Sequence, residues 1–147
     1  MFYPIKVSKT DNGRFVVTAR DVPECIYSDK TEEAALKSAQ EMVPGVLELY
    51  YRRKKKAFPL PSQMEPGEIP VYVPARIQAK IAFWNFLVGK GMKLADAARA
   101  LEQPQARVQC MVDLSKDKAS IEAIEEALEK LGGEFNLTAK CVSKSAE

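Results

Sequence analysis

Apolar and polar positions alternate with a period of two over the first twenty residues and with a helical period over much of the rest. Tyr3, Ile5 and Val7 fall on one face of an extended segment and Phe2, Pro4 and Lys6 on the other, and Pro4 places that strand at a sheet edge. Asp11-Asn12-Gly13 reads as a turn, after which Phe15, Val17 and Ala19 repeat the alternation, so the spacing predicts a β-hairpin. A short third strand over Cys25 to Ser28 follows the Val22-Pro23-Glu24 corner. Thr31 is placed to cap a helix whose first turn carries Glu32 and Glu33, and Leu36, Ala39, Val43, Val46, Leu47 and Tyr50 form its apolar stripe. Pro44-Gly45 removes a backbone donor midway and predicts a kink.

Prolines at 59, 61, 66, 70 and 74 exclude a helix interior from the next segment, while Ile69, Val71 and Val73 alternate well enough for a strand. Ala75 to Val88 is apolar around most of its girth and predicts a widely packed helix. In Leu94 to Leu114, Leu94, Ala97, Ala98 and Leu101 share one stripe, Pro104 can open a second helix, and Val108, Met111 and Val112 supply its buried side. Two short helices meeting over a three- or four-residue turn, with a small residue at the crossing, form a helix-turn-helix. Glu102 occupies the turn position that demands positive φ. Ser120 caps a last helix with Ile121, Ile124, Leu128 and Leu131 on one side, ended by Gly132-Gly133. Phe135, Leu137, Ala139 and Cys141 then alternate with polar residues as a half-buried strand; a lone strand needs a partner, which a second copy of the chain would supply in a C2 dimer.

These elements predict an α+β chain in two units. A ββ(β)αβ domain occupies residues 1–74, with a proline-rich linker over about 57–70, and an all-α helix-turn-helix domain with a C-terminal strand occupies 75–147. The chain is 46% hydrophobic, enough for a packed core. No apolar run approaches a membrane span and MFYPIKVSK lacks the layout of a secretory signal, so a soluble cytoplasmic protein is expected. Cys25, Cys110 and Cys141 lack metal-ligand spacing and are expected to be buried free thiols, and neither a metal nor a cofactor is indicated. The chain contains no histidine, which excludes Ser-His and Cys-His nucleophiles. Net charge is +2 but uneven: residues 75–118 hold eight Lys/Arg against four Asp/Glu, and residues 119–147 hold three against six. The helix-turn-helix segment is therefore the locally basic one, with a surplus that calls for dimerisation to strengthen a grip on DNA. The Arg52-Arg53-Lys54-Lys55-Lys56 run reads as a solvated helix end, with a nucleic-acid or partner contact as the second reading.

The opening Tyr3-Pro4, Asp21-Val22-Pro23-Glu24, Thr31-Glu32-Glu33-Ala34 and Phe58-Pro59-Leu60-Pro61-Ser62, in this order ahead of the helices, resemble the HicB antitoxins over most of the chain. The resemblance implies a trimmed RNase H-like first domain that binds a small mRNA-cleaving HicA-like toxin, and a DNA-reading second domain that represses its own operon. Pro44-Gly45, Glu102 and the glutamines at 103 and 105 depart from that family's pattern. A toxin with a cationic RNA-binding face calls for carboxylates and aromatics opposite it, which makes Asp21, Glu24 and Tyr27 the candidate contacts; each also fits ordinary turn chemistry or packing. For double-stranded operator DNA the candidates are Lys93 near a helix N-terminus, Gln103 in the turn, and Gln105, Ala106, Arg107 and Gln109 on the second helix. Glutamine can pair bidentately with adenine, so Gln105 and Gln109 are the base readers. Phe135, Leu137 and Ala139 are the dimerisation candidates, in a dimer or dimer of dimers.

Two other readings compete. A live RNase H-like nuclease would gather Asp11, Asp21, Glu24 and Glu48 around metal ions. A transcription factor whose first domain senses a small molecule would lack the short, basic, histidine-bearing reading frame that an antitoxin has as its genomic neighbour.

Overall fold

A computed structural model describes residues 1–139 and 141. Strands β1 (Phe2–Lys9), β2 (Phe15–Ala19), β3 (Ile26–Asp29) and β4 (Ile69–Tyr72) form one antiparallel sheet in the order β3-β2-β1-β4. The hairpin turn closes where Gly13 takes φ +82, a conformation other residues avoid, with its N–H donating to the Thr10 carbonyl at 3.0 Å. Contrary to the edge position expected from Pro4, β1 is central. β2 pairs with Ile5–Lys9 and β4 with Phe2–Ile5, so Pro4 lies beyond the end of β2 and is flanked by β4 alone. Its missing N–H breaks no bond to β2.

The alternation decides which face is covered. Tyr3, Ile5, Val17, Ala19 and Val71 are buried beneath α1 (Glu32–Leu47), which offers Ala35, Ala39, Val43, Val46 and Leu47 in return. Thr31 caps α1 as expected, its hydroxyl oxygen accepting from the Ala34 N–H at 3.1 Å. The helix runs unbroken through Pro44 to Leu47 and then widens into a π-helical turn, Glu48–Arg52, closed by i→i+5 bonds from the Arg53 N–H to Glu48 (3.0 Å) and from the Lys56 N–H to Tyr51 (2.8 Å). The irregularity expected at Pro44-Gly45 thus lies one turn later. Lys55, at φ 59, then reverses the chain.

The proline-rich segment is pinned along its length. The Tyr3 hydroxyl donates to the Pro59 carbonyl at 2.6 Å, the Asn85 amide brackets Phe58 N–H and C=O at 2.7 and 3.1 Å, and the Trp84 indole donates to the Lys56 carbonyl at 2.7 Å. Burial holds the Tyr3 phenol well above its ordinary pKa, with the Asp21 carboxylate adding to the effect.

Four helices follow among the described residues, as the apolar periods predict: α2 (Ala75–Gly89), α3 (Leu94–Leu101), α4 (Gln105–Cys110) and α5 (Ile121–Lys130). Ser120 caps α5 by accepting from the Ala123 N–H at 3.1 Å. Ala97, Ala98 and Leu101 of α3 meet Val108, Met111 and Val112 in a shared core, where complete burial of a Val or Met side chain contributes about 1.5–3 kcal/mol. The buried residues of sheet and helices form one continuous cluster. The strand expected over Phe135–Cys141 is not formed. Glu134–Ala139 is irregular and pairs with no strand among the described residues, and residue 140 lies outside the described residues. Phe135 packs partly against the core, whereas Leu137 is 90% exposed and Ala139 is exposed. Of the three thiols only Cys25 is buried; Cys110 is half-buried and Cys141 exposed.

Candidate functional site

Two short helices joined by a tight turn dictate where the DNA candidates stand. Glu102 ends α3 in the left-handed conformation, φ 53 and ψ 44, as its place in the turn demands. The Glu102 N–H donates to the Arg99 carbonyl at 3.2 Å and the Gln103 N–H to the Ala98 carbonyl at 3.0 Å, the paired 5→2 and 6→1 bonds of a left-handed helix cap. Pro104 then opens α4 with the fixed φ of a first turn. At the other end of α3, the Asp96 carboxylate accepts from the Lys93 N–H at 3.0 Å. That bond, helped by Arg99, holds the Asp96 carboxyl below its ordinary pKa.

This geometry separates the six DNA candidates into three groups. Gln105 and Gln109, one helical turn apart on α4, line a cleft of about 810 Å³ together with Lys93. Ala106 and Arg107 are exposed on α4, and Arg107 borders a different hollow beside Cys110 and Lys118. Gln103 is half-buried in the turn, its Oε1 buried with no hydrogen-bond partner among the described residues.

The same cleft draws cations from outside the helix pair. Arg52, Arg53 and Lys55, from the π turn and the bend after it, line it too, as does Lys116 from the segment before α5. Arg52 is buried, which corrects its reading as part of a solvated helix end. Its guanidinium pairs with Glu48, Nε to Oε1 at 2.7 Å, and its Nη2 lies 3.6 Å from Asp113. Glu48, 2% exposed, also accepts from the Leu114 backbone N–H at 3.0 Å and from Arg53 Nε at 3.1 Å, so one carboxylate ties the π turn to the end of the helix pair. Burial opposes charge on Asp113, yet the Ser115 hydroxyl and N–H, with Arg52 and Arg53, hold its carboxyl below the ordinary range. Lys80 is buried alongside and donates to the carbonyls of Asp113 at 2.9 Å and Lys116 at 2.6 Å. Sequence reasoning missed Arg53, Lys55 and Lys116 as cleft residues; the cation run at 52–56 was the available signal.

The partner candidates stand near the corner after β2, each with a bond within the chain. Asp21 accepts from the Ser62 N–H and hydroxyl at 2.7 and 2.5 Å. Exposed Glu24 accepts from the Tyr51 hydroxyl at 2.6 Å, which holds its carboxyl below the ordinary range against a small cost of burial. Half-buried Tyr27 donates to Asp29 at 3.2 Å. Beside them Ile26 of edge strand β3 is 64% exposed. Of the four carboxylates of the nuclease reading, Glu48 is committed to its arginines, and no group of three or more metal-ligating side chains converges among the described residues.

A family model described as "HicB_like antitoxin of bacterial toxin-antitoxin system" matches residues 2–82, from the first strand into α2. The chain belongs to the HicB-like antitoxin family. This HicB-like chain is 31% identical to "Antitoxin HicB 2" of Photorhabdus laumondii subsp. laumondii over 95% of its length and 96% of the relative's. It is 23% identical to "Antitoxin HicB" of Escherichia coli strain K12, over 93% and 98% of the two chains, and 26% identical to "Antitoxin HicB" of Pseudomonas fluorescens strain Pf0-1, over 88% of each. These relatives carry the name antitoxin, and the similarity extends past α2 through the helix pair. No helix among the described residues is long and apolar enough to cross a membrane.

Proposed function

We propose that this chain is an antitoxin that binds and neutralises a cognate HicA-like mRNA-cleaving toxin through its front half and represses its own operon through α3 and α4. The observation that carries the reading is the family match over the sheet unit, extended by relatives aligned along nearly the whole chain. The front half acts as a trimmed RNase H-like plug. It offers Glu24, Asp21 and Tyr27 as an acidic, aromatic corner beside exposed Ile26, complementary to a surface built to hold RNA phosphates. In the back half, α3 and α4 act as a helix-turn-helix. The left-handed cap at Glu102 sets the angle between them, and α4 presents Gln105, Ala106 and Gln109 to base edges while Lys93 and Arg107 meet phosphates. Gln103, half-buried in the turn, stands between the two helices rather than on the exposed face of α4. Two copies of the reader, brought together through Phe135, Leu137 and Ala139, would span two half-sites, and exposed Leu137 gives that contact an apolar anchor.

Co-expression with a tagged toxin tests the front half. The wild-type chain should co-purify with toxin, and charge reversal at Asp21 and Glu24 together should weaken capture at unchanged folded stability; capture equal to wild type would remove both residues from the interface. Light scattering tests the assembly, where a monomer at micromolar concentration would argue against pairing through the C-terminal segment.

A further inference from the structure

The cleft beside α4 carries more positive charge than the helix pair supplies. Arg53 and Lys55 come from the end of the π turn, Lys93 from the start of α3 and Lys116 from the segment before α5, and all four border the cavity that Gln105 and Gln109 also line. Its acid, Asp113, is 2% exposed and already accepts from Ser115 at 2.5 and 2.9 Å, so it offers the opening little negative charge. On a chain with a net charge of only +2, this is a local concentration.

The wall is also held in place. Lys55 sits in the left-handed region at φ 59, its N–H donating to the Arg52 carbonyl at 2.9 Å, and the next carbonyl, of Lys56, is gripped by the Trp84 indole at 2.7 Å. Arg53 is anchored through Nε to buried Glu48, yet about half of its side chain is exposed. The backbone that carries Arg53 and Lys55 is thus fixed before an anion arrives, which lowers the ordering cost of binding. The cations come from three separate segments around one opening. That spread suits an extended polyanion better than one compact phosphate, and duplex DNA carries a charge about every 1.7 Å along its axis.

We propose that Arg53, Lys55 and Lys116 form with Lys93 a second phosphate-gripping wall, so that the DNA backbone beside α4 is held by the π turn of the sheet unit as well as by the helix pair. This rests on the reading that α4 meets operator DNA. It makes the front half part of the DNA contact, so a toxin occupying the face near the π turn would be felt at the operator.

Fluorescence anisotropy with the full-length chain across a salt series tests this, using the duplex upstream of its own reading frame, a scrambled duplex and a matched RNA hairpin. The variants are K55Q/K116Q, the single K116Q, and K30Q/K37Q as a control that removes the same charge from exposed positions away from the cleft. For the cleft pair, the slope of log affinity against log salt should become shallower by about 0.9 for each phosphate no longer neutralised. Affinity should fall alike on the upstream and scrambled duplexes, with half of the slope change in K116Q and little change in the control. Equal behaviour of the cleft and control pairs would overturn the inference while leaving the operator reading standing. A wild-type chain that binds neither duplex would overturn both, and tighter binding of the hairpin than of either duplex would assign the wall to RNA instead. Melting curves superimposed on wild type establish that the variants are folded.

Discussion

Glu102 is held in a conformation that glutamate adopts at a cost, and replacing it should stabilise the protein. At φ 53 and ψ 44 its Cβ crowds the following carbonyl, a cost of about 1–2 kcal/mol for a residue with a side chain. Its carboxylate makes no hydrogen bond or ion pair among the described residues, and the side chain is exposed, so truncating it breaks no bond. Glu102→Gly removes the crowding but frees the unfolded chain, which returns about 0.5–1 kcal/mol. The net expectation is a gain of about 0.5–1 kcal/mol, or roughly 2–4 °C in Tm for each kcal/mol in a chain of this size. Glu102→Ala keeps the Cβ and should gain nothing, while Glu102→Asn should fall between them, since asparagine tolerates this region better. Urea titrations of the three variants with a common slope decide the order. A glycine variant no more stable than the alanine variant would refute the claim that the turn is strained.

Three further outcomes follow from the buried network and from α4. Glu48→Gln leaves Arg52 buried without its main counter-charge and weakens the acceptor for the Leu114 N–H, so it should cost about 3–5 kcal/mol in urea titrations; a loss below about 1 kcal/mol would show that the network is not what joins the π turn to the helices. Asp113 has a folded pKa below its unfolded value, so its contribution is present above the ordinary carboxylate range and is lost as pH falls through the folded value. Asp113→Asn should therefore lower stability at neutral pH and flatten the acid limb of the stability curve below about pH 4, and parallel curves would contradict this. Gln109→Ala should cost about 1–3 kcal/mol at one base position of the operator, read by gel shift against single-base substitutions, and an unchanged specificity profile would reject it as a base reader.

Much of the fold was legible because burial on one face leaves a period in the sequence. Tyr3, Ile5, Val17 and Ala19 alternated and are buried; Leu94, Ala97, Ala98 and Leu101 followed a helical period, and all but half-buried Leu94 are buried. Glu102 announced its own strain, because a tight turn between helices needs positive φ whatever residue stands there. What the sequence hid was long-range. Pro4 argued for an edge strand by a local rule, whereas the offset registers of β2 and β4 decide whether a missing N–H matters. Arg52 looked like its neighbours in a cation run, and it is its burial between Glu48, four positions earlier, and Asp113, sixty-one positions later, that separates it from a solvated lysine. The cleft beside α4 was illegible for the same reason, since its walls come from residues 53, 55, 93 and 116 and no local period links them. The alternation at Phe135 to Ala139 matches a strand, but alternation alone supplies no neighbour for its backbone.

Toxin-catalysed RNA cleavage, followed while the purified chain is titrated in, bears most directly on the antitoxin reading. Cleavage should fall linearly and stop near one chain per toxin, and charge reversal at Asp21 and Glu24 should shift the end point to higher chain concentrations. Cleavage that continues undiminished at a several-fold excess of folded wild-type chain would contradict it.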